Sequence, residues 1–211
     1  VNRAIGLVGS AHGQVVHGRR MRRIVHALAL LIEPGWSVCD LGCGDGSIGH
    51  CLAQSVPDLS VSGFELHPRE ETHIPVQAFD GLRLPVEDDA FDAVILVDVL
   101  HHTDDPMILL TEARRVARRA IVLKDHRTSR PLADSTLRFM DWVGNRSHGV
   151  PLPYNYWPEE RWSTAWKDLG LRVDTYRTRL DLYPWPARWL FESGLQFVAR
   201  LVPETADKGG D

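Results

Sequence analysis

The sequence predicts an α/β fold built on a parallel sheet with helices on both faces. Two observations carry this. Phe91-Asp92-Ala93-Val94-Ile95-Leu96-Val97 and Ala120-Ile121-Val122-Leu123 are the continuous apolar runs expected of parallel strands covered on both sides. Strand-like and helix-like segments also alternate along the first 126 residues, the pattern of successive right-handed crossovers.

Each element can be justified in order. Val16, Ile24, Ala27, Leu28 and Leu31 recur at helical spacing over 15–32, and Pro34-Gly35 stops that helix. Trp36 to Leu41 reads as a short buried strand running into the glycine-rich turn VCDLGCGDGSIG at 38–49, and a helix over 47–55 starts where the turn ends. Leu59 to Phe64 alternates as a second strand and delivers Glu65 at its carboxyl end. Residues 74–78 form a weaker third strand, because Pro75 suits an edge or a strand start. After the strand at 91–97, Asp105-Pro106 is an N-cap with proline at the first helical position. That helix runs to about Arg118 with Met107, Leu110, Ala113 and Ala117 along one side. The next strand covers 120–123 and ends at Lys124-Asp125-His126.

The character then changes. Residues 132–143 can be helical, whereas GNRSHGVPLPYNYW at 144–157 has the composition of a structured loop, since its aromatics need something to pack on. A helix over 158–169 is closed by Gly170. Residues 171–176 and 195–201 read as strands that complete the sheet, joined by a Trp- and Pro-rich segment at 183–191.

Composition narrows the function. The chain has 211 residues, 44% hydrophobic and 25% charged, which suits one ordinary globular domain with a full core. A net charge of -4 makes no global case for nucleic acid. The runs Arg19-Arg20-Met21-Arg22-Arg23 and Arg114-Arg115 with Arg118-Arg119 read as solvated helix faces. Cys39, Cys43 and Cys51 crowd the glycine turn, form no zinc spacing and suit free thiols in a reducing compartment, so no metal and a cytoplasmic location are expected. No secretory signal and no membrane-spanning run is expected either.

The turn carries two overlapping glycine signatures. Gly44-x-Gly46-x-x-Gly49 matches a dinucleotide fingerprint, while Asp40-x-Gly42-x-Gly44-x-Gly46 is a different pattern. A dinucleotide would bring its pyrophosphate to the helix N-terminus, against the carboxylates of Asp40 and Asp45. A cofactor bearing a sulfonium and an ammonium suits those acids better.

With the downstream motifs added, the chain resembles the class I S-adenosylmethionine-dependent methyltransferases, within them the ubiquinone/menaquinone-biosynthesis-like small-molecule group. The matching stretches are VCDLGCGDGSIG at 38–49, Glu65, FDGLRLPVEDDAFDAVILVDVLHHTDDP at 79–106, the helix with Glu112-Ala113-Arg114-Arg115-Val116, and IVLKD. They cover about residues 15–126 in the family's order and leave the dehydrogenase match incidental. The resemblance implies a Rossmann-like, seven-stranded, mostly parallel sheet whose last strand is inserted antiparallel. It also implies one domain over 1–211: a cofactor-binding core at 14–126, a substrate-lid insert at 127–158 after the fifth strand, and a C-terminal helix and strands at 159–203.

It further implies residue roles. Asp40, Gly42, Cys43, Gly44 and Gly46 would form the turn around the methionine part of the cofactor, with Asp45 beside it. Glu65 would hold the ribose hydroxyls, Leu66 would lie against the adenine, and Asp80, between Phe79 and Gly81, would meet the adenine amino group. Val97, Asp98 and Val99 would line the floor, with His102 flanking the cofactor. Apart from the resemblance, the N-terminal His17-Gly18-Arg19-Arg20 is a candidate to close over the cofactor's carboxylate, Arg20 foremost.

The acceptor side is open to reading. His101, His102, Asp125 and His126 are the candidates for proton transfer, His126 foremost, because they stand at the sheet's carboxyl edge. Met140, Trp142, Asn145, Tyr154, Asn155, Tyr156 and Trp157 are the candidate substrate wall, with Trp185, Trp189 and Phe191 adding an aromatic cavity. The expected reaction is O- or C-methylation of an aromatic, apolar or lipid-like metabolite by a monomer or homodimer, with peripheral membrane contact open. A non-catalytic binding subunit and an RNA methyltransferase are the rivals.

Overall fold

The computed structural model describes residues 18–128, 133–145, 154–192 and 194–204. Helix α1 covers 18–29. It is followed by β1 (Ser37–Leu41), α2 (Ser47–Ser55), β2 (Ser60–Glu65), β3 (Val76–Ala78), β4 (Phe91–Val97), a 3-10 turn at Leu100–His102, α3 (Pro106–Val116) and β5 (Ala117–His126). Then come α4 (Ala133–Asn145), α5 (Glu159–Asp168), β6 (Leu171–Arg177), α6 (Ala187–Phe191) and β7 (Gln196–Pro203).

The seven strands form one sheet in the order β3-β2-β1-β4-β5-β7-β6. β1 to β5 pair in parallel, and β7 runs antiparallel between β5 and β6. Period-two alternation sorts the side chains onto two cores. Val94, Leu96, Ile121 and Leu123 face α3 and α5, where Leu110, Ala113, Trp162 and Trp166 meet them. Ala93, Ile95, Ala120 and Val122 face α1 and α2, against Ile24, Leu28 and Leu52. Burial on both faces is why these strands are continuously apolar.

Three details differ from the sequence reading. α3 stops at Val116, because Ala117 to Arg119 already belong to β5. Asp125 and His126 are part of that ten-residue strand, which continues past Leu123 because Phe197 and Gln196 of β7 pair with them. The segment before β7 also holds the short helix α6. The cap of α3 is as read: Asp105 accepts from the Met107 amide at 3.0 Å, with Pro106 opening the helix. Strand order reverses between β1 and β4, so the loops after these two strands part there and leave a crevice at the sheet's carboxyl edge.

Candidate active site

The crevice is built from the turn after β1 and the turn after β4. Gly42 has φ +76°, and a Cβ there would lie 2.7 Å from Val99 Cγ1. Only glycine lets the two turns touch. At Gly44 (φ +59°) the same construction meets no atom within 4 Å, so the backbone borders open space. That space is lined by acids. Glu65 accepts from the Gly44 amide through Oε2 at 2.8 Å and from the Leu66 amide through Oε1 at 2.9 Å, which fixes its carboxylate beside the turn. Asp80 accepts from the Leu82 and Arg83 amides through Oδ1 at 2.8 and 2.9 Å. Those two amides hold its carboxyl below the usual range. Leu66 is 48% exposed, an apolar surface suited to a flat base.

Asp40 is buried beneath the turn, and its Oδ2 has no hydrogen-bond partner. Burial pushes its carboxyl up to about 7; Glu65 adds to this and the Gly49 amide opposes it. A cationic group above the turn would favour its ionised form. Open backbone at Gly44, fixed carboxylates and a buried acid of raised pKa together fit a nucleoside with a cationic tail.

Sequence reasoning missed two supports of this site. Glu112 accepts from the Leu84 amide at 2.9 Å, and Arg115 donates to the carbonyls of Leu84 and Val86 at 3.1 and 2.8 Å. The pair straps α3 to the loop that follows Asp80. The second is Lys124, 1% exposed inside β5 and bonded to Asp98 Oδ1. A lysine in the apolar run IVLKD was the available signal.

Asp98 has φ +57° and gathers two cations and a histidine. Lys124 holds Oδ1, Arg20 Nη2 lies 2.5 Å from Oδ2, and His126 Nδ1 is 3.6 Å from Oδ1. Burial opposes the charge, but Lys124 and then Arg20 hold the carboxyl well below the usual range. Arg20 is therefore engaged with Asp98, at the edge of the crevice where the cofactor carboxylate was expected.

Behind Asp98 lies a histidine cluster. His101 Nδ1 and Asp125 Oδ1 are 2.6 Å apart, both residues buried. Asp125 also accepts from the Leu100 and His126 amides at 3.0 and 2.7 Å. Despite burial, His101 first and these bonds after it hold its carboxyl far below the usual range. The His101 ring stacks on Tyr156 at 5.5 Å, meets His126 edge-on at 4.7 Å and lies 4.1 Å from the half-buried His102. His126 is 4% exposed, and burial followed by Lys124 lowers it to about 4.

Asp98, His101, Asp125 and His126 offer ligand atoms within 4.8 Å of one another, close enough to cage an ion. Asp98 already balances Lys124 and Arg20, however, and Asp125 is filled by His101 and two amides. A dication here would face two cations, so the cluster's charge balance suits holding and moving protons.

The expected substrate wall divides. Tyr156 stands over the histidines, with Tyr154 6.4 Å from it and Met140 packed against the cluster of Ala133, Leu137, Tyr156 and Leu195. Trp157 is instead a core residue, 1% exposed and packed on Trp162, which removes it from any cavity. Asn155 is a strap: its amide donates to the Thr103 and Asp104 carbonyls at 3.1 Å, and its Oδ1 accepts from Trp157 Nε1. The side chains of Trp142 and Asn145 lie outside the described residues. Trp185 and Trp189 are 81% and 74% exposed and line an open cleft with Arg179 and Arg188, with neither Tyr154 nor Tyr156 in its lining.

Comparison with known proteins agrees with this fold. Residues 13–176 match the methyltransferase domain family. The chain is 28% identical over 180 residues to demethylmenaquinone methyltransferase of Renibacterium salmoninarum, covering 75% of this chain and 76% of that one. Among solved structures, the methyltransferase found in complex with the Haloferax volcanii Trm112 methyltransferase activator superposes with TM-score 0.67 at 18% identity, over 93% of this chain and 95% of that one. Magnesium protoporphyrin IX methyltransferase of Synechocystis PCC 6803, solved with S-adenosylhomocysteine bound, gives TM-score 0.54 at 19% identity, over 91% and 83%. The chain belongs to the methyltransferase domain family and is a class I S-adenosylmethionine-dependent methyltransferase.

Proposed function

We propose that this enzyme methylates a hydroxyl or enol of an aromatic or lipid-like metabolite, and that the His101–Asp125 dyad takes the acceptor's proton. The 2.6 Å contact between two buried groups carries the reading. S-Adenosylmethionine supplies an activated methyl group whose bond to sulfur breaks with its electron pair leaving on sulfur. The new bond forms from the acceptor oxygen, or from carbon in an enol, and the acceptor's proton passes to His101. Asp125, ionised and fixed by two amides, orients the ring through Nδ1 and stabilises the imidazolium that forms. His126 is neutral at physiological pH and serves as wall rather than base. His102 flanks the dyad on the exposed side, and Tyr156 and Tyr154 supply an aromatic face to an acceptor ring.

The cofactor is read as lying along the crevice. Asp40, Gly42, Cys43, Gly44, Asp45 and Gly46 border its methionine end, and Glu65 meets the ribose hydroxyls. Leu66, Phe79, Asp80 and Gly81 flank the adenine, with Val97, Asp98 and Val99 below. We read residues 127–158, of which 129–132 and 146–153 lie outside the described residues, as the substrate lid of a single cytoplasmic domain. The test is methyl transfer from radiolabelled S-adenosylmethionine to a panel of phenols, enols and quinols, with amines and RNA as contrasts. Label in the oxygen or enol acceptors supports the reading, and label confined to amines or RNA overturns it.

A further inference from the structure

We propose that the ridge over residues 179–189 is a docking surface for an anionic phospholipid bilayer. The role we give it, presenting a lipid-like acceptor, rests on the function proposed above. Trp185 precedes α6 and Trp189 lies within it, with 81% and 74% of their surface exposed, although tryptophan is buried for most of its area in ordinary proteins. The ridge is anchored, because Leu180 and Leu182 beneath it are buried in the core on the α1 face. Its charge is one-sided. Arg19 donates to the Asp181 carbonyl at 3.3 Å, Arg23 to Asp181 Oδ2 at 2.8 Å and Arg188 to Asp181 Oδ1 at 2.9 Å. The Asp181 carboxylate thus meets two guanidinium groups and its main-chain carbonyl a third, and Arg179 joins Arg188, Trp185 and Trp189 around a cleft of about 860 Å³. The other acid of the cleft, Glu192, is 4% exposed and turned inward to the Leu180 amide at 2.7 Å.

Indole rings beside guanidinium groups match the headgroup region of a membrane, where an apolar body with a polar edge is favoured and arginine pairs with phosphate. The arginine run on α1, which the methyl-transfer site uses only through Arg20, finds a role here. A second copy is disfavoured, since a twofold contact would set this positive surface against itself. Two tryptophans and a short helix also offer far less than the roughly 800 Å² that each partner of a stable protein interface buries. The ridge adjoins the site: α6 packs on α4, Gln196 Nε2 donates to the Phe191 carbonyl of α6 at 3.4 Å, and Gln196 pairs with His126 across β5 and β7. No helix among the described residues is long and apolar enough to cross a membrane, so contact through this ridge would be peripheral.

The full chain is floated with vesicles of phosphatidylcholine mixed with phosphatidylglycerol, and with phosphatidylcholine alone. Retention should be about tenfold greater on the anionic vesicles and should weaken in high salt, and Arg188→Gln should cost about fivefold. Trp185→Ser with Trp189→Ser should abolish retention while S-adenosylhomocysteine affinity, read by calorimetry, is unchanged and shows the fold intact. Absent retention, equal retention by the double variant, or a homodimer that dissolves in the double variant would each overturn the proposal. Vesicle binding needs no acceptor, so its outcome is separate from that of the methyl-transfer assay.

Discussion

His101 Nδ1 and Asp125 Oδ1 lie 2.6 Å apart although 24 residues separate them, one in the turn after β4 and the other at the end of β5. The parallel pairing of these strands brings them together, and the Leu100 amide completes the junction by donating to Asp125 Oδ2. The contact commits Nδ1 of the ring. Replacing Asp125 by Asn should therefore lower turnover by about 10²- to 10⁴-fold, the usual share of a positioned acid or base. His101→Gln should do the same, with S-adenosylhomocysteine affinity nearly constant in both. Loss of cofactor affinity in step with turnover would show a structural role instead.

Two buried groups titrate against each other. His126 falls from 6.5 to about 4 in the fold, so below pH 6.5 the unfolded chain takes a proton that the fold refuses. Its contribution to stability is present above that pH and is lost as pH falls through about 4. Asp40 rises from 3.8 to about 7, so the fold keeps a proton that the unfolded chain has released, and stability drops as pH rises from about 4 to 7. Between pH 7 and 5 each amounts to about 2 kcal/mol, of opposite sign. Denaturant melts should show His126→Gln gaining stability on acidification and Asp40→Asn losing it, relative to the parent. Parallel profiles in all three would contradict the assignment.

Alanine at Gly42 and at Gly44 should part company. At Gly42 the new Cβ strikes Val99, and the two turns must separate. At Gly44 nothing is struck, so the cost is the left-handed backbone alone, about 1–2 kcal/mol. Gly44→Ala should fold and yet lose S-adenosylhomocysteine affinity, because its methyl points into the space assigned to the cofactor. Unchanged affinity would move the cofactor elsewhere.

Asp98 and Lys124 should behave as a unit. Lys124→Met leaves Asp98 to Arg20 alone, and Asp98→Asn leaves a buried ammonium without its partner charge. Each single change should cost about 3–5 kcal/mol, and the double variant should recover most of it. Additive losses in a double-mutant cycle would show that the two do not couple.

The parallel half of the fold was legible because its signals are local. Apolar runs, the Asp105 cap and the left-handed glycine turn each constrain only their own neighbourhood. The acids beside the turn were legible for the same reason, since they close strands whose ends can be read. What escaped depends on distant pairing. β7 carries β5 on to His126, which buries that residue and lowers it to about 4, a consequence that no local pattern announces. Lys124 and Arg20 meet at Asp98 only through tertiary packing, and Trp157 turns inward because α5 offers Trp162. Trp185 and Trp189 look like cavity residues by composition, yet Leu180 and Leu182 take the buried places in that segment.

The most direct test of the account is a calorimetric titration of S-adenosylhomocysteine into the parent chain and into Glu65→Ala. The account predicts saturable one-to-one binding in the parent and a loss of about tenfold or more in the variant, since hydrogen bonds to a charged group are each worth about 1.5–3 kcal/mol. Undiminished binding in Glu65→Ala, or none in the parent, would contradict it.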